Sequence, residues 1–212
     1  MSKITLSLVL SAAVVYSTAV QADIYVNTGA YFSKVDQPID QQGVGSSLGI
    51  GYELNNSWSF ELSYDKLIDK SATGPTLLKD ESPYPLDWQS SYQSKGVILS
   101  ALGKAAINHS SSLFYRIGVM YSDLDYSRFY AGETDCAQDA KNIEYYQFIN
   151  AGKLVQQATA CYYADKSTEL LLGLGLETKF SDNWFGRIEA NHFFANKGEA
   201  ISAAKLSIGY KF

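Results

Sequence analysis

The sequence predicts an all-β fold: a transmembrane, antiparallel, up-and-down β-barrel of eight strands, with short periplasmic turns and long extracellular loops. Three observations predict it. Apolar and polar residues alternate with a period of two in about eight segments. All four prolines lie between these segments, as a hydrogen-bonded barrel wall requires. The connections between segments alternate between short and long, as in barrels that span the outer membrane.

Composition supports this fold class and excludes others. The chain is 46% hydrophobic and 14% aromatic, with only 2 Met among 212 residues, a bias typical of β-structure. Beyond the N-terminus, no run approaches the roughly 20 consecutive apolar residues of a spanning helix. A net charge of −5 argues against a nucleic-acid partner, which usually requires a basic face.

Residues 1–22 have the layout of a secretory signal peptide. Lys3 precedes an apolar run over 4–16, and the small residue Ala22 ends a suitable cleavage site. The alternative is an uncleaved anchor, but the run is short and weakly flanked for one. We therefore expect cleavage to leave a barrel domain at 23–212.

The strands are predicted in order at 24–33, 44–54, 58–65, 93–103, 113–121, 169–180, 184–191 and 203–212. In the clearest, at 169–180, leucines recur at every second position from Leu170 to Leu176. The fourth is ambiguous, since either Val97 and Leu99 or Ile98 and Leu102 could face outward. A bulge near Gly96 could change its parity midway.

The connections sort into two ends of the barrel. Polar turns at 55–57, 104–111 and 181–183 form the short end. The gaps at 34–43, 66–91, 122–167 and 194–200 form the other end, and two of them are long.

Two faces result from the alternation. Aromatics and leucines share one face, which we expect to meet lipid. The other face combines glycines with charges of both signs, which suit a narrow polar lumen: Glu53, Glu61, Arg116, Glu177, Lys179, Arg187 and Glu189. Trp58 and Trp184 directly follow tight turns on the apolar face, where an aromatic girdle would lie.

The two cysteines, Cys136 and Cys161, are 25 positions apart. For an exported chain an even count favours a disulfide over two free thiols. It would staple a loop, because the surrounding sequence lacks clean strand periodicity. No cofactor or metal is predicted, since neither zinc spacing nor a calcium-loop pattern is present.

The last residues, Leu206-Ser207-Ile208-Gly209-Tyr210-Lys211-Phe212, resemble the C-terminal strand of the OmpA-like and OmpX-like eight-stranded outer-membrane barrels. The resemblance covers the predicted mature chain, and its size and loop pattern are similar to the accessory colonization factor A group. It implies a bacterial outer-membrane location among outer-membrane lipids. It also implies recognition by the outer-membrane assembly machinery through Tyr210 and Phe212.

The functional hypothesis is surface interaction, in adhesion, colonization or envelope integrity, through long tyrosine-rich loops. An eight-stranded barrel is filled by its own side chains, so no large pore is expected. The partner would be a host-surface or other extracellular ligand. The candidate contact residues, of a type that gives large contact area at low entropy cost, are Tyr126, Tyr130, Tyr145, Tyr146, Tyr162 and Tyr163.

Two alternatives remain: a narrow porin-like channel and a lipid A-modifying enzyme. The stretch from Asn191 to Asn196 has a passing likeness to the lipid A deacylase pattern around His192. Phe194 occupies the position of the nucleophilic serine, which leaves no hydroxyl to activate. His109 lies in a turn at the opposite end. The sequence therefore predicts no enzyme.

Overall fold

The structure, a computed structural model, describes residues 23–35, 42–70, 76–77, 86–87, 91–133, 135–150, 153–195 and 200–212. The predicted signal peptide at 1–22 lies outside the described residues. Among the described residues no helix is long and apolar enough to span a membrane.

Eleven strands are described, and eight of them close into one antiparallel barrel in the order β1-β2-β3-β6-β7-β9-β10-β11, with β11 returning to β1. β8 pairs with β9 outside this ring, and β4 pairs with β5. The predicted eight-stranded antiparallel barrel is confirmed. The strands are β1 (Asp23–Val35), β2 (Gln42–Asn55), β3 (Trp58–Lys70), β4 (Thr76–Leu77), β5 (Leu86–Asp87), β6 (Tyr92–Ala106), β7 (Ser111–Ala131), β8 (Asn142–Asn150), β9 (Lys153–Lys179), β10 (Trp184–Ala195) and β11 (Ile201–Lys211).

Side chains of small polar residues cap the turns at the short end. The Asn55 carboxamide oxygen accepts hydrogen bonds from the backbone N–H groups of Ser57 and Trp58 at 2.8 and 2.9 Å. Asn108 does the same for Ser110 and Ser111. These bonds satisfy backbone N–H groups that have no partner in the hydrogen-bonded strand pairs.

The opposite end differs from the prediction of a loop over 122–167. β7 continues to Ala131, β9 begins at Lys153, and β8 lies between them in sequence. A tilted strand crosses a bilayer in roughly 9–11 residues, so about half of β7 and more than half of β9 project beyond it. The sequence signal was weak because neither face of this projecting sheet meets lipid, and buried residues occur there on both parities, as at Ala158, Thr159 and Ala160, so no apolar parity is selected.

The fourth predicted strand, now β6, has a single parity. Val97 and Leu99 face outward, while Ile98 and Leu102 are buried inside. The bulge predicted near Gly96 is on β3 instead, where pairing shifts between Lys66 and Ile68. Gly45 lies beneath it, and a Cβ there would meet the Lys66 carbonyl oxygen at 1.9 Å. Only glycine lets the bulged backbone approach so closely.

The barrel interior has two layers. The layer nearer the short turns is charged. The layer nearer the projecting sheet is an apolar cluster of buried side chains from most of the strands: Tyr31, Val35, Leu67, Ile68, Tyr92, Ile98, Met120, Leu124, Leu171, Phe193, Ile201 and Ala203. The outer wall is apolar but exposed, as for Leu62 at 49% and Leu206 at 60%. A wall of this kind is stable only against lipid.

Candidate functional site

Glu61 is the centre of the charged layer. Its carboxylate accepts hydrogen bonds from the Arg116 guanidinium at 2.7 Å and the Arg187 guanidinium at 2.8 Å. The Tyr25 hydroxyl and the Asn27 amide also donate to it, each at 3.0 Å. Glu61 and both arginines are at most 4% exposed. A buried carboxylate is tolerated here because four donors and two opposite charges surround it.

The network continues from Glu61 towards the short turns. Arg187 Nε donates to Glu177 at 2.7 Å. The Lys104 ammonium then bridges Glu177 and Glu53 at 2.9 and 2.6 Å. Lys211, at the end of the chain, also pairs with Glu53. Charges alternate along this path, so every acid in it has a basic neighbour.

A second branch runs towards the apolar layer. Arg116 Nε donates to Glu189 at 3.0 Å. The Lys205 ammonium lies 3.8 Å from carboxylate oxygens of both Glu189 and Asp65. The Tyr31 hydroxyl closes the branch by donating to Asp65 at 2.5 Å. The apolar layer begins at Tyr31, so the charged network ends where the apolar layer starts.

Six of the seven predicted lumen residues lie in this network, and Lys179 does not. Lys179 is exposed at the end of β9, with no ion pair among the described residues, because the strand there has passed the rim of the barrel. The prediction missed Asp65 and Lys205, although their parity was correct. It also missed Lys104, because that residue was assigned to a turn while β6 continues to Ala106.

Trp58 and Trp184 lie on the outer wall beside the short turns. Each is partly exposed, and its ring makes an edge contact with a tyrosine, Tyr115 at 5.8 Å and Tyr210 at 5.1 Å. Tyr210 in turn contacts the Phe212 ring at 5.2 Å. The aromatic rings therefore form a band at the rim where a membrane interface would lie.

At the opposite end is the surface sheet, which we define as 123–131 of β7, all of β8, and 153–166 of β9. The connection between β7 and β8 is tied to it by a disulfide from Cys136 to Cys161, with 5.7 Å between their Cα atoms. Cys161 is fully buried within β9, not in a loop as the sequence suggested. The disulfide therefore anchors a loop to a strand.

The predicted contact tyrosines divide into three groups. Tyr126 and Tyr163 stack with ring centroids 5.0 Å apart and are partly or wholly buried. Tyr146 and Tyr162 both donate to the Glu144 carboxylate, at 2.6 and 3.1 Å. Neither group is free to make large new contacts.

Tyr130 and Tyr145 form the third group. Both are registered against Thr159 of β9, from opposite sides, so they share one face of the sheet at a spacing of about 10 Å. Tyr145 is 58% and Tyr130 36% exposed. Beside Tyr145 is a cavity of about 260 Å³, also lined by Glu133, Gln147 and Gln157.

The Tyr146–Glu144 contact predicts how a tyrosine of the surface sheet ionises at alkaline pH. The hydrogen bond to the carboxylate, reinforced by Tyr162, raises the pKa of Tyr146, because ionisation would break the bond and set two negative charges together. The stabilisation is therefore fully present below the ordinary tyrosine pKa near 10 and is lost as the pH rises through the raised value. We expect Glu144→Gln to make one tyrosine ionise at lower pH in an alkaline absorbance titration. The shift should vanish in a background that carries Tyr146→Phe and Tyr162→Phe. If Glu144→Gln titrates like the wild-type protein, the contact is contradicted.

The disulfide makes a second prediction. On the chain-entropy model, closing 25 residues contributes about 3 kcal/mol, and here that stabilisation falls on the surface sheet because all eight barrel strands pair without it. Replacing Cys136 and Cys161 by serine should speed proteolysis within 137–160 and leave the heat-modifiable barrel band on SDS gels unchanged. Chemical reduction of the disulfide in the wild-type protein is the control, because it breaks the bond without placing a serine hydroxyl at the buried position of Cys161. Loss of the barrel band on reduction would contradict this division.

His192 lies on the outer wall, not in the lumen, and packs against the Phe194 ring with centroids 4.4 Å apart. Its Nδ1 is 3.0 Å from the hydroxyl of Ser202, contributed by β11. A serine therefore does lie beside this histidine, on the neighbouring strand and not at position 194. Sequence spacing could not reveal it, because the two are directly opposed across a strand pair.

A closed barrel with an apolar outer wall, an aromatic rim and a charged interior defines a small β-barrel membrane protein. The family model of the outer membrane protein β-barrel domain matches residues 4–212, and the chain belongs to that family. It is located in the bacterial outer membrane. A search of the curated proteins finds no match.

Solved structures share the fold at low sequence identity. Neisserial surface protein A is 12% identical with a TM-score of 0.58, over 90% of this chain and 99% of that one. Ail, the attachment invasion locus protein of Yersinia pestis, solved with the heparin analogue sucrose octasulfate, is 16% identical with a TM-score of 0.52 over the same shares. A major outer membrane protein of Thermus thermophilus gives 13% and 0.52, again over 90% and 99%.

Proposed function

We propose that the protein acts at the cell surface by binding an extracellular macromolecule, as an adhesin or colonization factor, through the face of the surface sheet that bears Tyr130 and Tyr145. The observation that carries the proposal is this pair of exposed rings on one face of a sheet that is part of the barrel wall. Two rigid aromatic side chains offer contact area at low entropy cost. The disulfide supports the proposal because it removes part of the ordering cost of binding.

Charge narrows the class of partner. The region 122–167 has seven acidic against four basic residues, and Glu133 lies beside the exposed Tyr145. The ligand solved with Ail is a polysulfated heparin analogue, which this surface would repel. We therefore propose a neutral or basic protein surface as the partner of this chain.

The test is adherence to host cells and matrix proteins. Deleting 126–163 should abolish adherence while the heat-modifiable barrel band remains. A sharper variant is Tyr130→Ser with Tyr145→Ser, compared with Tyr162→Ser on the other face of the sheet. We expect adherence to fall in the pair and not in the control. Unchanged adherence in the deletion would refute the proposal.

We also propose that the barrel is not a large pore. The ion pairs of the charged layer and the apolar cluster above them support this, because together they occupy the interior at two levels. Purified protein in planar bilayers should give no large, stable conductance; such a conductance would establish the alternative of a channel.

Assembly through the chain terminus is a further part of the proposal. The Phe212 N–H donates to the Ile24 carbonyl at 3.0 Å, while its ring is 72% exposed at the rim, where assembly machinery could reach it together with Tyr210. Deleting Phe212 should deplete the protein from outer membranes without lowering the stability of refolded barrel. Normal membrane levels would count against the signal.

A further inference from the structure

A hydrogen-bonded polar pair faces the lipid on the outer wall. His192 of β10 and Ser202 of β11 are directly opposed, 3.0 Å apart. On the β9 side the row continues with Leu172 and Ile117, which are apolar, and on the β1 side with Lys34 and Gln42, which are polar. Polar side chains on the lipid face are costly unless they are hydrogen-bonded. The bond between these two uses one ring nitrogen of His192, which leaves the other ring nitrogen for a group in the membrane.

A groove lies directly beneath the pair. Its floor is Ala190 and Ala204, which are opposed in register. Their outward neighbours in the same row are much larger: Leu174 on one side, 63% exposed, and Phe32 on the other, 62% exposed. The two alanines therefore form a recess in an otherwise raised wall. The groove that includes them and the polar pair has a volume of about 800 Å³ and an almost wholly apolar lining.

The position of the groove along the barrel indicates which leaflet of the membrane it faces. β10 begins beside the short turn at Trp184 and ends at Ala195, so His192 lies near the end of the barrel that carries the surface sheet. The pair is thus at the level of the outer leaflet, just below its headgroups. Lys34 is next to Ser202 in register and adds positive charge at this level, although it also has contacts of its own.

We propose that this groove binds one molecule of a phosphorylated glycolipid of the outer leaflet, of the lipid A type. One acyl chain lies along Ala190 and Ala204. A phosphate or sugar oxygen accepts a hydrogen bond from the His192–Ser202 pair, in the positive field that Lys34 extends. Bonds from such donors to an anionic group are among the stronger hydrogen bonds in proteins. The groove supplies shape for the chain and the pair supplies recognition of the headgroup.

The experiment is native mass spectrometry of the full protein extracted from outer membranes in mild detergent. Wild-type protein should retain one lipid A molecule. His192→Phe with Ser202→Val removes the headgroup contact, and Ala204→Leu fills the recess. The first change should reduce retained lipid A about tenfold, the effect of losing one good hydrogen bond to a charged group. The second should also reduce it, because the acyl chain no longer fits the recess.

Thr28→Val is the matched control, because it removes another outward hydroxyl, one that donates to the Ser47 carbonyl at 3.0 Å. It should retain lipid A as wild type does. Equal retention in every variant would overturn the proposal.

A second measurement covers variants that assemble poorly. Wild-type protein is refolded in phospholipid vesicles with added lipid A or with dephosphorylated lipid A, and its urea midpoint is compared with that in plain vesicles. Stabilisation by lipid A alone is the expected result. Equal midpoints in all three would overturn headgroup recognition.

Discussion

Replacing Glu61 by alanine should cost about 3–5 kcal/mol of unfolding free energy, the range for removing one partner of a buried ion pair. The loss is large because Arg116 and Arg187 remain at the barrel centre without their shared carboxylate. Tyr25 and Asn27 also lose an acceptor. The measurement is urea unfolding of protein refolded into lipid vesicles.

Two further variants test whether the lost unfolding free energy comes from the buried charge. Glu61→Gln keeps the volume and removes the charge, so its cost should approach that of alanine. Asp69→Ala breaks an exposed pair with Lys66 and should cost less than about 1 kcal/mol. A cost at Glu61 no greater than at Asp69 would mean that water enters the lumen freely.

Leu99→Arg should cost about 2–4 kcal/mol, the range for arginine on the lipid face at the bilayer midplane. Leu99 is central in β6 and registered against Leu62 and Val119. Its side chain is 62% exposed, nearly the same as Tyr145 at 58%. Tyr145→Arg should nevertheless cost little, because the surface sheet meets water. The same exposed fraction therefore has opposite meanings in lipid and in water.

Unfolding in vesicles of the two variants tests this contrast. Equal costs at Leu99 and Tyr145 would contradict the assignment of the two solvents. The contrast also depends on the surface sheet lying outside the bilayer, which the length of β9 requires.

The barrel was predictable because its wall has one face in lipid and one in the interior, and this contrast imposes a period of two. At 170–176 every second residue is leucine, and this segment is part of β9, although that strand begins much earlier, at Lys153. The contrast ends above the membrane. Around Cys161 neither face meets lipid, so the strand there carried no readable alternation and was predicted to be a loop.

The face on which each site residue lies was predictable from the alternation along its strand, but the residue with which it pairs was not. Arg116, Glu61 and Glu189 were assigned to the lumen because they alternate with apolar neighbours. That Arg116 joins the other two depends on the register of five neighbouring strands, β3, β6, β7, β9 and β10, which no local pattern encodes. The same holds for His192 and Ser202, which meet only because β10 and β11 pair with one particular offset.

Trypsin treatment of intact cells tests most directly the central claim, a barrel that presents a disulfide-anchored sheet at the cell surface. Lys141 is exposed and lies between Cys136 and Cys161, so cleavage there leaves fragments joined by the disulfide. We expect a fast-migrating folded band before heating, a full-length band after heating without reductant, and, after reduction, one fragment that ends at Lys141 and one that begins at Asn142. Lys141→Gln should remove that cleavage. Cleavage at Lys141 only after the cells are broken open would contradict the account.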